Sequence, residues 1–280
     1  MKQQSSSTPN TVIIRPERGL GRLGLGDVWE FRDLLKYLIL RDIRGRYRPM
    51  SMGPLWIIIR PICHMLVYSF VFGKLFGVRS GDVPYPVYVY SGIILWLFFS
   101  ASVSKASSGL VANRHMMNKV FFPRMVAPLV YIGSETVDLC ASFIVLFIMM
   151  AFYKVTPGLS IFALPFFVCL VILAGTAFGL LLAALSVNVR DVSIALPIGL
   201  MAWMYLSPVV YPISLIPDSY LSMYYLNPMA VIFQGYRWAL FGAEQPPFTF
   251  LLGTAVLIGM GLVAAIYYFR HIERTMVDFL

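Results

Sequence analysis

Long apolar segments alternate with shorter polar stretches along most of this chain. Because one membrane crossing takes about 20 residues of helix, the pattern predicts six transmembrane helices. They lie near residues 52–73, 86–106, 126–152, 161–185, 192–211 and 248–270. We therefore expect an all-α polytopic membrane protein in which residues 49–280 form a single transmembrane domain.

The residues before the first span divide into two parts. Residues 1–27 are polar and lack an apolar core, so we expect a mobile cytoplasmic N-terminus that is not a cleaved signal peptide. Residues 28–48 have the pattern of an amphipathic helix in the membrane interface, although a surface helix of a small soluble domain would share it. The apolar face holds Phe31, Leu34, Leu35, Leu38 and Ile39, and the other face mostly holds Arg32, Asp33, Lys36, Arg41 and Arg44.

The stretch between the fifth and sixth spans, residues 212–240, is interrupted by Pro212, Pro217 and Pro228. Backbone that leaves the helical conformation at membrane depth is tolerated only where protein or water covers it. The pattern predicts a re-entrant hairpin on the periplasmic face. An external loop that lies flat on the membrane is the alternative.

The composition agrees with a membrane protein, since 59% of the residues are hydrophobic and 12% are charged. Seventeen of the 22 Lys and Arg residues fall on one side of the predicted spans and four on the other. The positive-inside rule then places both termini in the cytoplasm. Because the charges are placed so unevenly, the net charge of +9 does not indicate nucleic acid as a partner.

Motifs for catalysis and for nucleotide binding are absent from the sequence. It contains no G-x-x-x-x-G-K-[ST], no H-E-x-x-H and only three histidines, so we expect no catalytic residue, no metal site and no cofactor bound by this chain. Cys63, Cys140 and Cys169 lie far apart in apolar segments and are expected to be small buried hydrophobic residues. Energy for uphill transport would come from a partner or from an ion gradient.

The connection at residues 105–124 is basic and has no acidic residue. Met116, Met117 and Phe121 make it more apolar than an anchor for membrane orientation requires. This composition favours a short helix that docks into a groove on another protein. A plain positive-inside anchor is the alternative.

Two groups of polar residues lie inside predicted spans. Trp56, Arg60 and His64 share one face of the first span, which favours a polar pathway, with packing against another span as the alternative. Glu135 and Asp138 share one face of the third span. They could relay protons, but we favour a structural pair with Arg60 or with basic residues near the cytoplasmic surface.

Five motifs, taken together, resemble the permease subunit of ABC-2-type polysaccharide exporters, a family that includes O-antigen, capsular polysaccharide and teichoic-acid exporters. In chain order they read RDIRGRYRPMSMGPLWIIIRP, NRHMMNKVFFPRMVAPL, VRDVSIALPIGL, LSPVVYP and LNPMAVIFQGYRWALFG. The resemblance covers roughly residues 28–270. Arg60 is not part of the family pattern, which leaves its role open.

The resemblance implies a homodimer in the bacterial cytoplasmic (inner) membrane that works with two copies of a cytoplasmic ABC ATPase. ATP and Mg would be bound by that separate subunit, so this chain would be no enzyme. The substrate would be a lipid-linked polysaccharide, with an O-antigen as the favoured one. The ATPase-coupling helix would consist of Asn113, Arg114, His115, Met116, Met117, Asn118 and Lys119. Arg190 and Asp191 would lie at the cytoplasmic mouth of the fifth span, and Trp56, Trp203, Tyr205 and Tyr211 would line the substrate pathway.

Two alternatives remain open at this point. One is an ABC-2 exporter of another substrate, such as a drug or a lipid. The other is an ion-driven carrier that uses Glu135 and Asp138.

Overall fold

The computed structural model describes residues 25–112, 123–189 and 191–273. Within these ranges the protein is all-helical and has no β-strand. Five helical segments are long and apolar enough to cross a membrane, and they agree with five predicted spans to within a few residues. These segments are Gly53–Leu75, Tyr85–Leu110, Val126–Phe152, Leu159–Asn188 and Phe248–Glu273.

Ten α-helices account for most of the described residues. They are α1 (Leu25–Glu30), α2 (Arg32–Tyr47), α3 (Trp56–Tyr68), α4 (Tyr85–Ala112), α5 (Val126–Phe152), α6 (Leu164–Asn188), α7 (Asp191–Tyr205), α8 (Asp218–Tyr224), α9 (Pro228–Phe241) and α10 (Phe248–Glu273). Short 3₁₀ turns at Gly53–Leu55, Leu159–Ala163 and Ile213–Leu215 precede α3, α6 and α8, and a π-helical stretch, Ser69–Leu75, extends α3.

Helix α4 lies at the centre of the molecule. Within the protein, 78% of its apolar stretch is buried, against 11% of that of Gly53–Leu75. It packs most extensively on α6 and α5. Small residues permit this contact: a β-carbon at Gly179 of α6 would lie 3.0 Å from that of Ala106, the close approach that small residues give to membrane helices.

The apolar face of α2 packs against the start of α5. Leu38 is buried with Val126 and Val130, and the other four residues predicted for this face pack around them. The opposite face, which carries Lys36, is exposed. Helix α2 therefore packs the apolar residues of its predicted face on protein, whereas the sequence had led us to expect this face in the membrane interface.

The predicted span at residues 192–211 is only partly helical. Helix α7 has 15 residues, fewer than the roughly 20 that a crossing needs. The chain then leaves the helical conformation over residues 206–212. We call residues 206–211 of this stretch the helix break. It includes four consecutive buried residues, Ser207 to Val210.

Helix α9 is buried on nearly every side, between α6 and α10. Asn227 precedes it and accepts a hydrogen bond from the Met229 N–H at 3.1 Å, and Pro228 takes the first position, so the start of the helix has the usual capping residues. Gly242 ends it with a φ of 67°, a conformation that favours glycine.

The three cysteines are free thiols, but they are exposed on the helix surfaces of this single chain instead of buried.

Candidate functional site

A cavity of about 940 Å³ lies between α2, α3, α4 and α5. Its wall combines apolar side chains with an unusual number of charges for a membrane domain. Four cationic and three acidic side chains line it: Arg41, Arg46, Arg60, Lys105, Asp42, Glu135 and Asp138.

Arg46 of α2 binds all three of these carboxylates. Its Nη1 lies 2.7 Å from Glu135 Oε1 and 2.7 Å from Asp138 Oδ2. Its Nη2 lies 2.6 Å from Asp42 Oδ2. The carboxylates of the third span therefore bond to Arg46 and not to Arg60, which supports the structural role favoured for them.

Two further residues complete this ion cluster, which we define as Asp42, Arg46, Tyr47, Lys105, Glu135 and Asp138. Lys105 of α4 bonds to Glu135, and the Tyr47 hydroxyl donates to Asp138 Oδ2 at 2.7 Å. Because its members come from α2, α4 and α5, the cluster fixes the position of α2 against two membrane helices.

Arg46 and Tyr47 of the cluster keep their protons at neutral pH. Burial by itself would lower the pKa of Arg46, but Glu135, Asp42 and Asp138 raise it above its usual value. Burial, together with the hydrogen bond to Asp138, raises the pKa of Tyr47 to about 12. Arg46 is therefore a permanent cation, and the Tyr47 hydroxyl is a permanent donor.

A second cavity, of about 470 Å³, lies between α3, α4 and α7. Arg60 and His64 line both cavities, so this face of α3 separates them. The His64 ring nitrogen Nδ1 lies 2.8 Å from the Arg60 carbonyl oxygen, within hydrogen-bonding distance of it. Both side chains are exposed.

Four of the six residues of the helix break, Ser207 to Val210, are buried, yet the carbonyl oxygens of the break are hydrogen-bonded. The Leu206 carbonyl accepts from Asn227, and that of Ser207 from the Val209 N–H. The carbonyls of residues 208 to 211 accept from the side chains of Arg237, Tyr85 and Tyr88. This accounts for a break in apolar surroundings, where an unpaired carbonyl would be costly.

Arg237 of α9 supplies the central contacts to the helix break. Its side chain is 3% exposed. Nη1 donates to Pro208 O and, at 2.6 Å, to the Tyr88 hydroxyl, while Nη2 donates to Val209 O at 2.7 Å. The guanidinium also lies 3.6 Å from the centre of the Tyr88 ring, a cation–π contact.

Trp203 of α7 belongs to an aromatic cluster with α4 and α6. Its ring makes T-shaped contacts with Phe99 and Trp96 and a tilted edge contact with Phe178, at centroid distances of 5.2, 6.4 and 5.1 Å. Its indole N–H donates to Asn227 at 3.0 Å. These contacts join α7 to α4, to α6 and to the start of α9.

Comparison with known proteins gives the chain its family. The model of the ABC-2 type transporter family matches residues 33–241, about three quarters of the chain. The chain belongs to this family. The match begins in α2 and ends at the last residue of α9, so it includes the ion cluster, both cavities and the helix break.

Several curated relatives of this ABC-2 family member are named as export or transport proteins. The O-antigen export system permease protein RfbA of Myxococcus xanthus is 29% identical over 79% of this chain and 85% of its own length. The protein of that name from Klebsiella pneumoniae is 25% identical over 73% and 79%. The polysialic acid transport protein KpsM of Escherichia coli is 26% identical over 72% and 79%.

The predicted pathway residues of this ABC-2 family member lie in three places. Trp56 and Arg60 line the larger cavity, and Arg60 and Tyr205 line the smaller one. Trp203 packs in the aromatic cluster. Tyr211 lines neither cavity: its hydroxyl donates to Tyr205 O at 2.7 Å and lies 2.9 Å from the Tyr224 hydroxyl.

The residues predicted to couple to an ATPase, Asn113 to Lys119, lie outside the described residues, and so does Arg190. Asp191, predicted beside Arg190 at the mouth of the fifth span, is the exposed first residue of α7.

Three residues of these contacts were not predicted as site residues: Arg46, Tyr47 and Arg237. For Arg237 a signal was present, since it is a lone charge in the apolar sequence of α9, and ionisable residues in such positions usually have a specific partner. Arg46 had no such signal, because α2 contains several arginines. Which of them contacts α5 depends on how the two helices pack.

Proposed function

We propose that this chain is the transmembrane subunit of an ABC exporter that moves a lipid-linked polysaccharide of the O-antigen class across the bacterial inner membrane. The observation that carries the proposal is the match to relatives named as O-antigen export permeases along most of both chains. The relatives named for polysialic acid transport extend the support to a second polysaccharide.

In this proposal two copies of the chain work with two copies of a cytoplasmic ABC ATPase. The ATPase binds ATP and Mg, and this chain converts its movement into transport. Asn113 to Lys119 form the segment that contacts the ATPase, with α2 beside it. The ion cluster supports this arrangement, because it ties α2 firmly to α4 and α5.

The membrane topology proposed here has six crossings with both termini in the cytoplasm. Helix α7 and the helix break together make the fifth crossing, α8 and α9 form a re-entrant hairpin on the periplasmic side, and α10 makes the sixth. The bonded carbonyls of the break support this, since non-helical backbone at membrane depth needs such partners. Arg190 and Asp191 then lie at the cytoplasmic mouth, and Trp56, Arg60 and Tyr205 along the pathway.

Deletion of the gene for this chain tests the substrate. Loss of surface polysaccharide, with the lipid-linked polymer accumulating inside the cell, is expected. Full surface polysaccharide in the deletion strain, together with loss of resistance to a drug or loss of a lipid from the outer leaflet, would favour an ABC-2 exporter of another substrate.

Charge reversal at Arg114 and Lys119 tests the coupling segment. We expect Arg114→Glu with Lys119→Glu to reduce co-purification of the ATPase and transport-coupled ATP hydrolysis in proteoliposomes, because the basic surface that contacts the ATPase is lost. Lys154→Glu, a charge reversal between α5 and α6 on the opposite side in this topology, is the control. Intact assembly and transport in the double variant would remove the coupling assignment.

An ion-driven carrier that uses Glu135 and Asp138 has less support, because both carboxylates are held by Arg46. Transport that persists without the ATPase and is abolished by Glu135→Gln would reverse this conclusion.

A further inference from the structure

Arg60 lines the larger cavity but does not belong to the ion cluster. It also lines the second cavity. All three carboxylates of the wall bind Arg46, and Glu135 is shared with Lys105. Within the described residues the Arg60 guanidinium has no hydrogen bond and no ion pair, and its side chain is exposed.

This position is an unusual one for a free cation. Arg60 lies within the segment Gly53–Leu75, which is apolar enough to cross a membrane. Charged side chains inside a span avoid lipid and face water, protein or a ligand. Because no carboxylate of this chain compensates Arg60 within the described residues, an anion from outside the chain is the natural partner.

The two cavities on either side of Arg60 fit the two parts of an amphiphile. The larger cavity, of about 940 Å³, is rich in charge and borders α2. The smaller, of about 470 Å³, carries apolar side chains such as Leu97, Leu200 and Met201. A ligand with its anionic group at Arg60 could lay an apolar chain along the smaller cavity.

We propose that Arg60 binds the phosphate-ester anion of a lipid at the junction of the two cavities. A guanidinium suits this role, because its planar N–H donors form bidentate hydrogen bonds with phosphate oxygens. The proposal rests on the proposed function, since a lipid-linked glycan brings such an anion. An anionic phospholipid of the bilayer has the same chemistry.

A binding experiment on the full-length chain in phosphatidylcholine nanodiscs tests the proposal, with geranylgeranyl diphosphate as the probe and the neutral alcohol geranylgeraniol as its control. We expect the wild-type chain to bind the diphosphate more weakly as salt is added, and to bind the alcohol at least about tenfold more weakly, since it makes no charge-assisted bond.

Variants then assign the effect to Arg60. Arg60→Gln should weaken binding of the diphosphate by about tenfold or more. Arg60→Lys keeps the charge but loses the bidentate donors of the guanidinium, so its affinity should lie between those of wild type and Arg60→Gln. Arg44→Gln is the matched control, because Arg44 is an exposed arginine that lines neither cavity; its affinity should equal that of wild type. The thermal unfolding midpoint of each variant verifies its folding.

Two results would overturn the proposal: equal affinity of wild type and Arg60→Gln, or equal affinity for diphosphate and alcohol. The second uses only the wild-type chain, so it holds even if a variant fails to fold. Added phosphatidylglycerol separates the sources of the anion. Competition with the probe assigns the site to bilayer phospholipid, and absence of competition assigns it to a prenyl-linked anion.

Surface polysaccharide of the deletion strain complemented with each variant separates this proposal from the proposed function. If wild type restores export and Arg60→Gln binds the probe normally, the site is wrong and the function stands. If the deletion strain keeps its surface polysaccharide while Arg60→Gln loses the probe, the site stands and the function is wrong.

Discussion

Arg237 shows how a single buried side chain can stabilise irregular backbone inside a membrane protein. Within the described residues it has no carboxylate partner. Its charge is compensated by the carbonyls of Pro208 and Val209 and by the ring and hydroxyl of Tyr88. The guanidinium reaches two carbonyls and one hydroxyl through two separate nitrogen atoms, whereas an ammonium has a single nitrogen.

Replacement of Arg237 should therefore destabilise the protein strongly. We expect Arg237→Met to lower the free energy of unfolding by about 2–4 kcal/mol, because two buried carbonyls lose their donors. Arg237→Lys should recover only part of this. The midpoint of thermal unfolding in detergent, read from tryptophan fluorescence, measures the effect.

Arg79→Met provides the control, since Arg79 is exposed in the connection after α3. A midpoint for Arg237→Met that equals that of Arg79→Met would show that the helix break does not depend on Arg237.

A second prediction concerns Gly92 of α4. A β-carbon there would overlap the carbonyl oxygen of Val209, so Gly92→Ala should cost about 1–3 kcal/mol of stability through overpacking. Gly199→Ala is the matched control: Gly199 also lies in a helix, but nothing lies within 4 Å of its β-position. If both variants unfolded at the wild-type temperature, α4 would not approach the helix break this closely.

At the scale of elements, the ion cluster determines where α2 can lie. The apolar contact of Leu38 with Val126 and Val130 holds the helix against α5, but such a contact tolerates small shifts in position. The bonds from Arg46 to Glu135 and Asp138 do not tolerate such shifts, because a hydrogen bond forms only within a narrow range of distances.

Removal of Arg46 should loosen α2. We expect Arg46→Gln to leave Asp42 without its partner and to cost about 2–4 kcal/mol of docking free energy, since part-buried carboxylates lose charged donors. Limited trypsin digestion should then cleave at Arg41 or Arg44 faster than in wild type. Lys36→Gln, which breaks only the exposed pair with Asp33, should leave digestion unchanged; equal digestion of wild type and Arg46→Gln would contradict the docking role.

Periodicity and length were enough to predict the long helices and the apolar face of α2. These features repeat over many residues, so an error at one position changes little. The break at residues 206–211 lies inside the predicted span 192–211, and its hydrogen-bond partners were not predicted. The contacts of Arg237 with Tyr88 and of Arg46 with Glu135 join residues far apart in sequence, and no local pattern specifies which distant side chains will meet.

In the whole molecule, the charged groups described above lie at different ends of the helical bundle. The ion cluster lies at the end of the bundle where α2 meets α4 and α5, whereas Arg79 and Lys154 lie in connections after α3 and α5. The proposed topology puts the first end in the cytoplasm and these two residues outside.

Cysteine labelling in intact cells tests this topology. In a chain with Cys63, Cys140 and Cys169 replaced by Ala, Arg79→Cys should react with a membrane-impermeant maleimide added from outside. Arg44→Cys should react only after the inner membrane is permeabilised. The opposite pattern would place α2 on the periplasmic side and exclude contact with a cytoplasmic ATPase.

The bonded helix break also has a consequence for the biogenesis of the protein. The carbonyls of Pro208 and Val209 receive their donors from Arg237, which follows them by 29 and 28 residues. A ribosome that has completed α7 and the helix break has therefore made two carbonyls whose donors are still missing, and in the proposed topology the surrounding lipid offers none. The segment must wait in contact with water or the insertion machinery until α9 is synthesised, so the last third of the chain enters its final position as one cooperative unit and not helix by helix.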